Sequence, residues 1–274
     1  MRSNEELTAT NPRAGANPIP VHHFRVLGVQ LANASTEEAV DTIERLVIRG
    51  GPGTKPIYIA NAHTLNLAAE STQYRDVLNS AHLVFADGTG ARWAARMRGI
   101  RLKANLVGTD LVPQLFERTA GRGYRYFMLG ADAATIAVAA ETAARQYPGW
   151  TLRGFHHGYV QEAAAAAAVI EQINAAKPDV LLVGMGNPLQ EAWIHQHRAH
   201  LHAAVSIGVG GLFDHWGGNL KRAPAWVRRQ GCEWVQLLVQ QPHKWRRYLL
   251  GNPRFLVRVS RTALAERASN RNEQ

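Results

Sequence analysis

Residues 179–191 read Asp179-Val180-Leu181-Leu182-Val183-Gly184-Met185-Gly186-Asn187-Pro188-Leu189-Gln190-Glu191, and this stretch decides the fold. Val180–Val183 is a short, unbroken apolar run of the kind a strand shows when both its faces are covered. Two glycines then free the backbone to turn, and a helical pattern starts near Leu189. Strand, tight turn and helix form the repeating unit of a parallel sheet. The glycines also let a ligand approach the main chain, and the first turn of the helix offers N–H groups that favour phosphate. A tight turn with no ligand role explains the same residues. It is not the dinucleotide fingerprint, because no third glycine follows and no acidic residue closes a later strand in the expected place.

The unit recurs in both directions. Strands are expected at Phe24–Val29, Pro56–Ala60, Leu83–Ala86, Arg125–Leu129, Thr151–Phe155, Asp179–Val183 and Ala204–Val209. Helices are expected between them at Thr36–Arg49, Leu65–Leu78, Thr89–Met97, Asp110–Ala120, Ala133–Gln146, Glu162–Ala175 and Leu189–His200. Ser35-Thr36-Glu37-Glu38 and Asp132 are N-cap signals. The fold class is therefore α/β, an open parallel sheet with helices on both faces. After Gly217 the strand signals stop, and Ala223–Gln240, His243–Leu250 and Pro253–Ala265 read as three successive helices. The expected organisation is a flexible tail over 1–20, a body over 21–217 and a helical appendage over 218–274.

Charge divides the chain at the same place. The net charge of the 274 residues is +10. Residues 218–274 hold 12 Lys and Arg against three acidic residues, a net of +9, while the other 217 hold 19 against 18. Trp216, Trp226, Trp234 and Trp245, four of the seven tryptophans, lie in or just before this segment. Basic charge interleaved with aromatic rings suits an anionic bilayer surface or nucleic acid, and a solvated helical face would also produce it. No run approaches the roughly 18 apolar residues of a spanning helix. Cys232 is the single cysteine, which excludes an internal disulfide and fits a reducing compartment.

In open α/β sheets ligands bind beyond the carboxyl ends of the strands. The residues expected there are Asn61 and His63, Asp87-Gly88, Gly130-Ala131-Asp132, Gly184–Glu191 and Gly208-Val209-Gly210-Gly211-Leu212-Phe213-Asp214. Asp87 follows an apolar strand directly, a setting that suits a general base; it also reads as the N-cap of the next helix. Asp214 is available to accept hydrogen bonds from a ribose or a base. Metal chemistry has little support. His22-His23 and His156-His157 are adjacent pairs, His195, His197 and His200 do not form HExxH, and neither a DxD triplet nor a GxSxG elbow occurs.

Taken in order, several of these residues form a known pattern. Asn61, Asn79-Ser80-Ala81-His82-Leu83-Val84 with Asp87-Gly88, Gly108-Thr109-Asp110, His156-His157-Gly158-Tyr159, Gly184–Trp193 and Gly208–Asp214 together resemble the WecG/TagA/CpsF bacterial glycosyltransferases. Lys221-Arg222-Ala223-Pro224-Ala225-Trp226, Glu233-Trp234 and Arg247-Tyr248 extend the likeness, which covers roughly residues 24–258. The resemblance implies a Rossmann-like body and an inverting, metal- and cofactor-independent transfer from a UDP-sugar to a polyprenyl-diphosphate-linked sugar in cell-surface polysaccharide synthesis. It implies Asp87 as general base. Gln190 and Asp214 would line the nucleotide-sugar pocket, and Lys244 and Arg247 would face the diphosphate. Asn61, Asp110, Gly186, Gly210 and Arg222 match further motif positions and, with Asn105 at another motif place, are candidate substrate contacts. The implied location is the cytoplasmic face of the plasma membrane, held peripherally, with no nucleic-acid partner. A homo-oligomer is left open.

The chain departs from the pattern where many members carry Thr, Arg, Arg and Glu; here those places hold Ile59, Asn105, Leu237 and Gln241. An arginine that pairs with a charged or N-acetylated sugar is dispensable for a neutral hexose such as glucose, which is one hypothesis for the donor; an N-acetylmannosamine-type donor stays open beside it. Two rivals stand beside the transferase: an NAD-linked oxidoreductase on the same fold class, and a nucleic-acid binder using the basic segment.

Overall fold

The computed structural model describes residues 21–224, 227, 233–242 and 245–272. The tail over 1–20, Trp226, Cys232 and Lys244 lie outside the described residues. Eight strands form one sheet: β1 (His22–Val26), β2 (Val29–Asn33), β3 (Lys55–Ala60), β4 (Leu83–Ala86), β5 (Arg125–Gly130), β6 (Thr151–His156), β7 (Val180–Gly184) and β8 (Val205–Gly208). Their order is β1-β2-β4-β3-β8-β7-β5-β6, antiparallel only between β1 and β2. The helices of the body are α1 (Thr36–Arg49), α2 (Ala62–Glu70), α3 (Thr72–Asn79), α4 (Gly88–Met97), α5 (Gly108–Arg118), α6 (Ala133–Gln146), α7 (Ala163–Ala176), α8 (Leu189–His197) and α9 (Leu212–Trp216).

Strand periodicity divides the core into two layers. Ile57, Ile59, Tyr126, Met128, Val180 and Leu182 point to one face, where α1, α5, α6 and α9 cover them. Tyr58, Ala60, Phe127, Leu129, Leu181 and Val183 point to the other, under α2, α3, α4, α7 and α8. The expected caps form. Ser35 Oγ accepts from Glu38 N–H at 3.2 Å while Glu38 accepts from Ser35 N–H at 2.8 Å, closing a capping box on α1. Asp132 accepts from Thr135 N–H at 2.8 Å on α6.

Three boundaries differ from the sequence expectation. Phe24–Val29 is two strands, because Leu27 (φ 50°) and Gly28 (φ 81°) make a two-residue hairpin turn. Asn79 fastens this turn, accepting from Gln30 N–H and donating to Gly28 O at 3.0 and 2.9 Å. The stretch Leu65–Leu78 is broken at Ser71, whose extended backbone ends α2 and whose hydroxyl caps α3 by accepting from Tyr74 N–H. In the basic segment, α10 (Glu233–Gln240) is followed by a wide π turn, Arg246–Leu250, that runs directly into α11 (Gly251–Asn272). The expected break before Pro253 is absent. Gly251 N–H reaches back to Arg246 O, and this widened turn lies just ahead of the proline, where an ordinary helical bond would be lost.

The α11 helix packs on α2 and α4, with Phe255 and Val259 buried in the second core layer. Asn66 donates to Gly251 O at 2.8 Å, and Arg258 pairs with Glu70 at 2.8 Å. At the other end of the sheet, β5 and β7 close tightly at their carboxyl ends. Gly130 pairs with Gly184, and a Cβ on Gly130 would lie 2.3 Å from the Gly184 carbonyl oxygen.

Candidate active site

The chain leaves β3 toward one edge of the sheet and arrives at β8 from the other, so the two halves meet between these strands. A cleft of about 1110 Å³ opens there, over the carboxyl ends of β3, β4, β7 and β8. Of the residues expected at the site, it is lined by Asn61, Asp87, Asn105, Gly186, Gln190, Gly210, Asp214 and Arg247. The first turns of α2, α4, α5 and α8 also open onto it. Helix N-termini carry partial positive charge and unused N–H groups, so their convergence suits an anion.

Asp87 ends β4, and its N–H is fixed by Ala60 O at 2.9 Å. It stands at the N-cap position of α4, yet its side chain makes no cap bond there. The turn behind it is braced by Asn105, whose amide oxygen accepts from Gly88 N–H at 2.5 Å. Gly88 has φ +83°, a conformation side-chain-bearing residues avoid.

Other expected contacts turn out to hold the frame. Asn61 caps α2, its amide oxygen accepting from His63 and Thr64 N–H at 3.0 and 3.2 Å. Gln190 is 1% exposed and accepts from Gly210 N–H at 3.0 Å, tying the turn after β8 to α8. Asp110 and Arg222 are outside the cleft lining and bind each other bidentately, with Nη2 to Oδ2 at 2.9 Å. This pair joins the start of α5 to the chain beyond α9. Lys244 lies outside the described residues.

The cleft also contains residues to which the sequence reading gave no role of their own. Arg92 and Trp93 come from α4, and Trp93 is 52% exposed. Tyr248, Phe255 and Leu256 form the wall supplied by the C-terminal helix. His215 lines the cleft as well, and burial holds its pKa below the usual histidine value. Its Nδ1 stands 3.1 Å from Leu220 O, which only accepts, so Nδ1 carries the proton and Nε2 is an acceptor. Beneath the floor, Glu191 is completely buried, and desolvation pushes its carboxyl pKa up to about 7. Only its place in the Pro-x-Gln-Glu run marked it in the sequence. Among the described residues no three His, Cys, Asp or Glu side chains are grouped as metal ligands.

Three of the four departures, Ile59, Asn105 and Gln241, line this cleft. Among the described residues, no helix is long and apolar enough to cross a membrane.

Comparison with known proteins adds a direct finding. The model of the "Glycosyl transferase WecG/TagA/CpsF family" matches residues 24–269. The N-acetylglucosaminyldiphosphoundecaprenol N-acetyl-beta-D-mannosaminyltransferase of Bacillus subtilis (strain 168) is 32% identical over 231 residues, covering 84% of this chain and 88% of that protein. The enzyme of the same name from Bacillus spizizenii is 35% identical over 192 residues, 70% of this chain and 73% of its own length. That of Staphylococcus aureus (strain MW2) is 28% identical over 238 residues, 86% and 91% of the two chains. Neither the oxidoreductase nor the nucleic-acid reading draws support from these matches. A match across nearly the whole chain, on a parallel α/β sheet with its cleft at the strand ends, shows that this protein is a glycosyltransferase of the WecG/TagA/CpsF family.

Proposed function

We propose that the enzyme transfers a sugar from a UDP-sugar to a sugar carried on polyprenyl diphosphate, at the inner face of the bacterial plasma membrane, in cell-surface polysaccharide synthesis. The observation that carries the reading is the presence of Asp87 in one cleft with Asp214, Arg247 and four helix N-termini. The relatives' names supply the acceptor class, N-acetylglucosaminyl diphosphoundecaprenol.

The chemistry follows from the charges. An acceptor hydroxyl does not ionise near neutral pH, so Asp87 takes its proton as the oxygen bonds to the anomeric carbon. The bond from that carbon to the diphosphate breaks on the opposite face, its electron pair leaves with UDP, and the anomeric configuration inverts. Negative charge growing on the diphosphate meets the first turns of α4, α5 and α8 together with Arg92 and Arg247. Preformed dipoles of this kind need no metal ion to act.

The membrane reading rests on the C-terminal segment. Trp245, Leu249, Leu250, Val257 and Leu264 are exposed there beside arginines, with Arg246 stacked on Trp245 at 5.5 Å. Apolar side chains among cations suit the boundary of an anionic bilayer. The donor sugar is the finest part of the proposal. Asn105 and Gln241 stand in the cleft in place of charged residues, which favours a neutral hexose. A screen of UDP-sugars against a short polyprenyl-diphosphate N-acetylglucosamine, read by mass spectrometry, tests the whole reading. Product is expected with a neutral UDP-hexose. A preference for UDP-N-acetylmannosamine would overturn the donor assignment, and no transfer from any UDP-sugar would overturn the reaction.

A further inference from the structure

Glu191 takes no part in the reaction just described, yet it lies immediately beneath the donor side of the cleft. Its Oε1 accepts from Gln190 Nε2 at 2.7 Å and from Asn187 Nδ2 at 2.6 Å. Its Oε2 accepts from the Tyr74 hydroxyl at 3.0 Å, and its main-chain oxygen accepts from Tyr58 at 3.1 Å. Four side chains from β3, α3 and the turn into α8 thus converge on one residue. An ionised carboxylate only accepts hydrogen bonds. Both amides must therefore turn their NH₂ groups inward and their carbonyl oxygens away. For Gln190 the outward oxygen is the atom that receives Gly210 N–H at 3.0 Å. Asn187 lines the cleft.

We propose that Glu191 is a positioning residue of the donor site: it locks the amides of Asn187 and Gln190, so that Asn187 offers a carbonyl oxygen to an N–H or O–H of the nucleotide sugar while Gln190 holds the Gly208–Gly211 turn. The inference rests on the nucleotide-sugar reading above and deepens it. The lock does not depend on charge, because a protonated Glu191 can donate from Oε2 to the Tyr74 hydroxyl oxygen while Oε1 still accepts from both amides. It depends on an acceptor oxygen at this place. Without one, Gln190 is free to turn and set its NH₂ against Gly210 N–H, and Asn187 is free to present a donor where the ligand also brings one.

The test is calorimetric binding of UDP-glucose and UDP-N-acetylmannosamine to the full chain at one pH. Glu191→Gln, whose amide oxygen can still accept from both neighbouring amides, is expected to keep affinity within about threefold, while Glu191→Leu, of similar size and without an acceptor, is expected to weaken it about tenfold. Asn187→Ala, which removes the offered oxygen, is expected to weaken it by a similar factor. Unchanged affinity in Glu191→Leu, or a loss in Glu191→Gln as large as in Glu191→Leu, overturns the positioning role alone. Should Glu191→Leu fail to fold, Asn187→Ala decides, and its unchanged affinity overturns the role. Absence of UDP-sugar binding by the wild type overturns the nucleotide-sugar reading and this inference with it.

Discussion

The turns after β4 and β7 are built to the same plan and use their carboxylates in opposite ways. Each leaves a buried strand, passes a glycine with positive φ, Gly88 or Gly186, and enters a helix whose first turn opens on the cleft. In the first, the carboxylate is at the N-cap position, where Asp87 reaches the cleft. In the second it sits inside the first turn of α8, where Glu191 is directed into the core and saturated by two amides and a phenol. A shift of a few residues relative to the helix start separates a group that can meet substrate from one that can only hold its neighbours.

The comparison breaks most sharply at Asp87. Asp87→Asn is expected to lower kcat by about 10²–10⁴-fold while leaving UDP-sugar affinity within about twofold. His215→Gln, which removes another proton acceptor lining the cleft, is expected to keep most turnover; the reverse result in the same transfer assay would reassign the base. The buried partner shows itself in stability. Glu191 has a folded pKa of about 7 against an ordinary value of 4.5, so the folded state binds the extra proton between those pH values. Its stabilising contribution is complete below pH 4.5 and is lost as pH rises through 7, by about 3 kcal/mol. Urea unfolding at pH 5 to 8 should show wild type losing that amount relative to Glu191→Gln; parallel curves would refute the raised value. A smaller loss is expected for Arg247→Ala, about tenfold in kcat/KM, as one of several positive groups near the diphosphate is removed. The least effect is expected from Leu250→Ser, about threefold weaker sedimentation with anionic vesicles and unchanged turnover on a short water-soluble acceptor. Equal vesicle binding would remove this leucine from the membrane face.

The sheet was legible because its strands carry apolar runs bounded by turn residues, as at Val180–Gly184 and Leu83–Asp87. The hairpin was not, because Leu27-Gly28 lacks the Asn-Gly or Asp-Gly chemistry that marks such turns, and only the fold holds Leu27 at φ 50°. The break at Ser71 hides within a helical pattern for a related reason, since a cap hydroxyl and a helix-surface serine are the same letter. The cleft was legible as a set of strand-end residues, and Asp87, Gln190 and Asp214 do line it together. Individual employment was less so. Asn61, Asn105, Gln190 and Asp132 all have polar groups that suit a ligand equally well, but in the fold they meet backbone N–H groups. Which polar group a side chain satisfies depends on neighbours distant in sequence, and Arg222 with Asp110 is the plainest case.

The meeting of Gly130 and Gly184 has a consequence for how such an enzyme acquires a new sugar preference. With main chain touching main chain where β5 and β7 end, even a methyl group would prise the strands apart, so that part of the base is closed to variation. Diversification is left to other positions that line the cleft, Ile59, Asn105 and Gln241 among them. Libraries aimed at donor choice belong at those three sites, over an unaltered glycine seam.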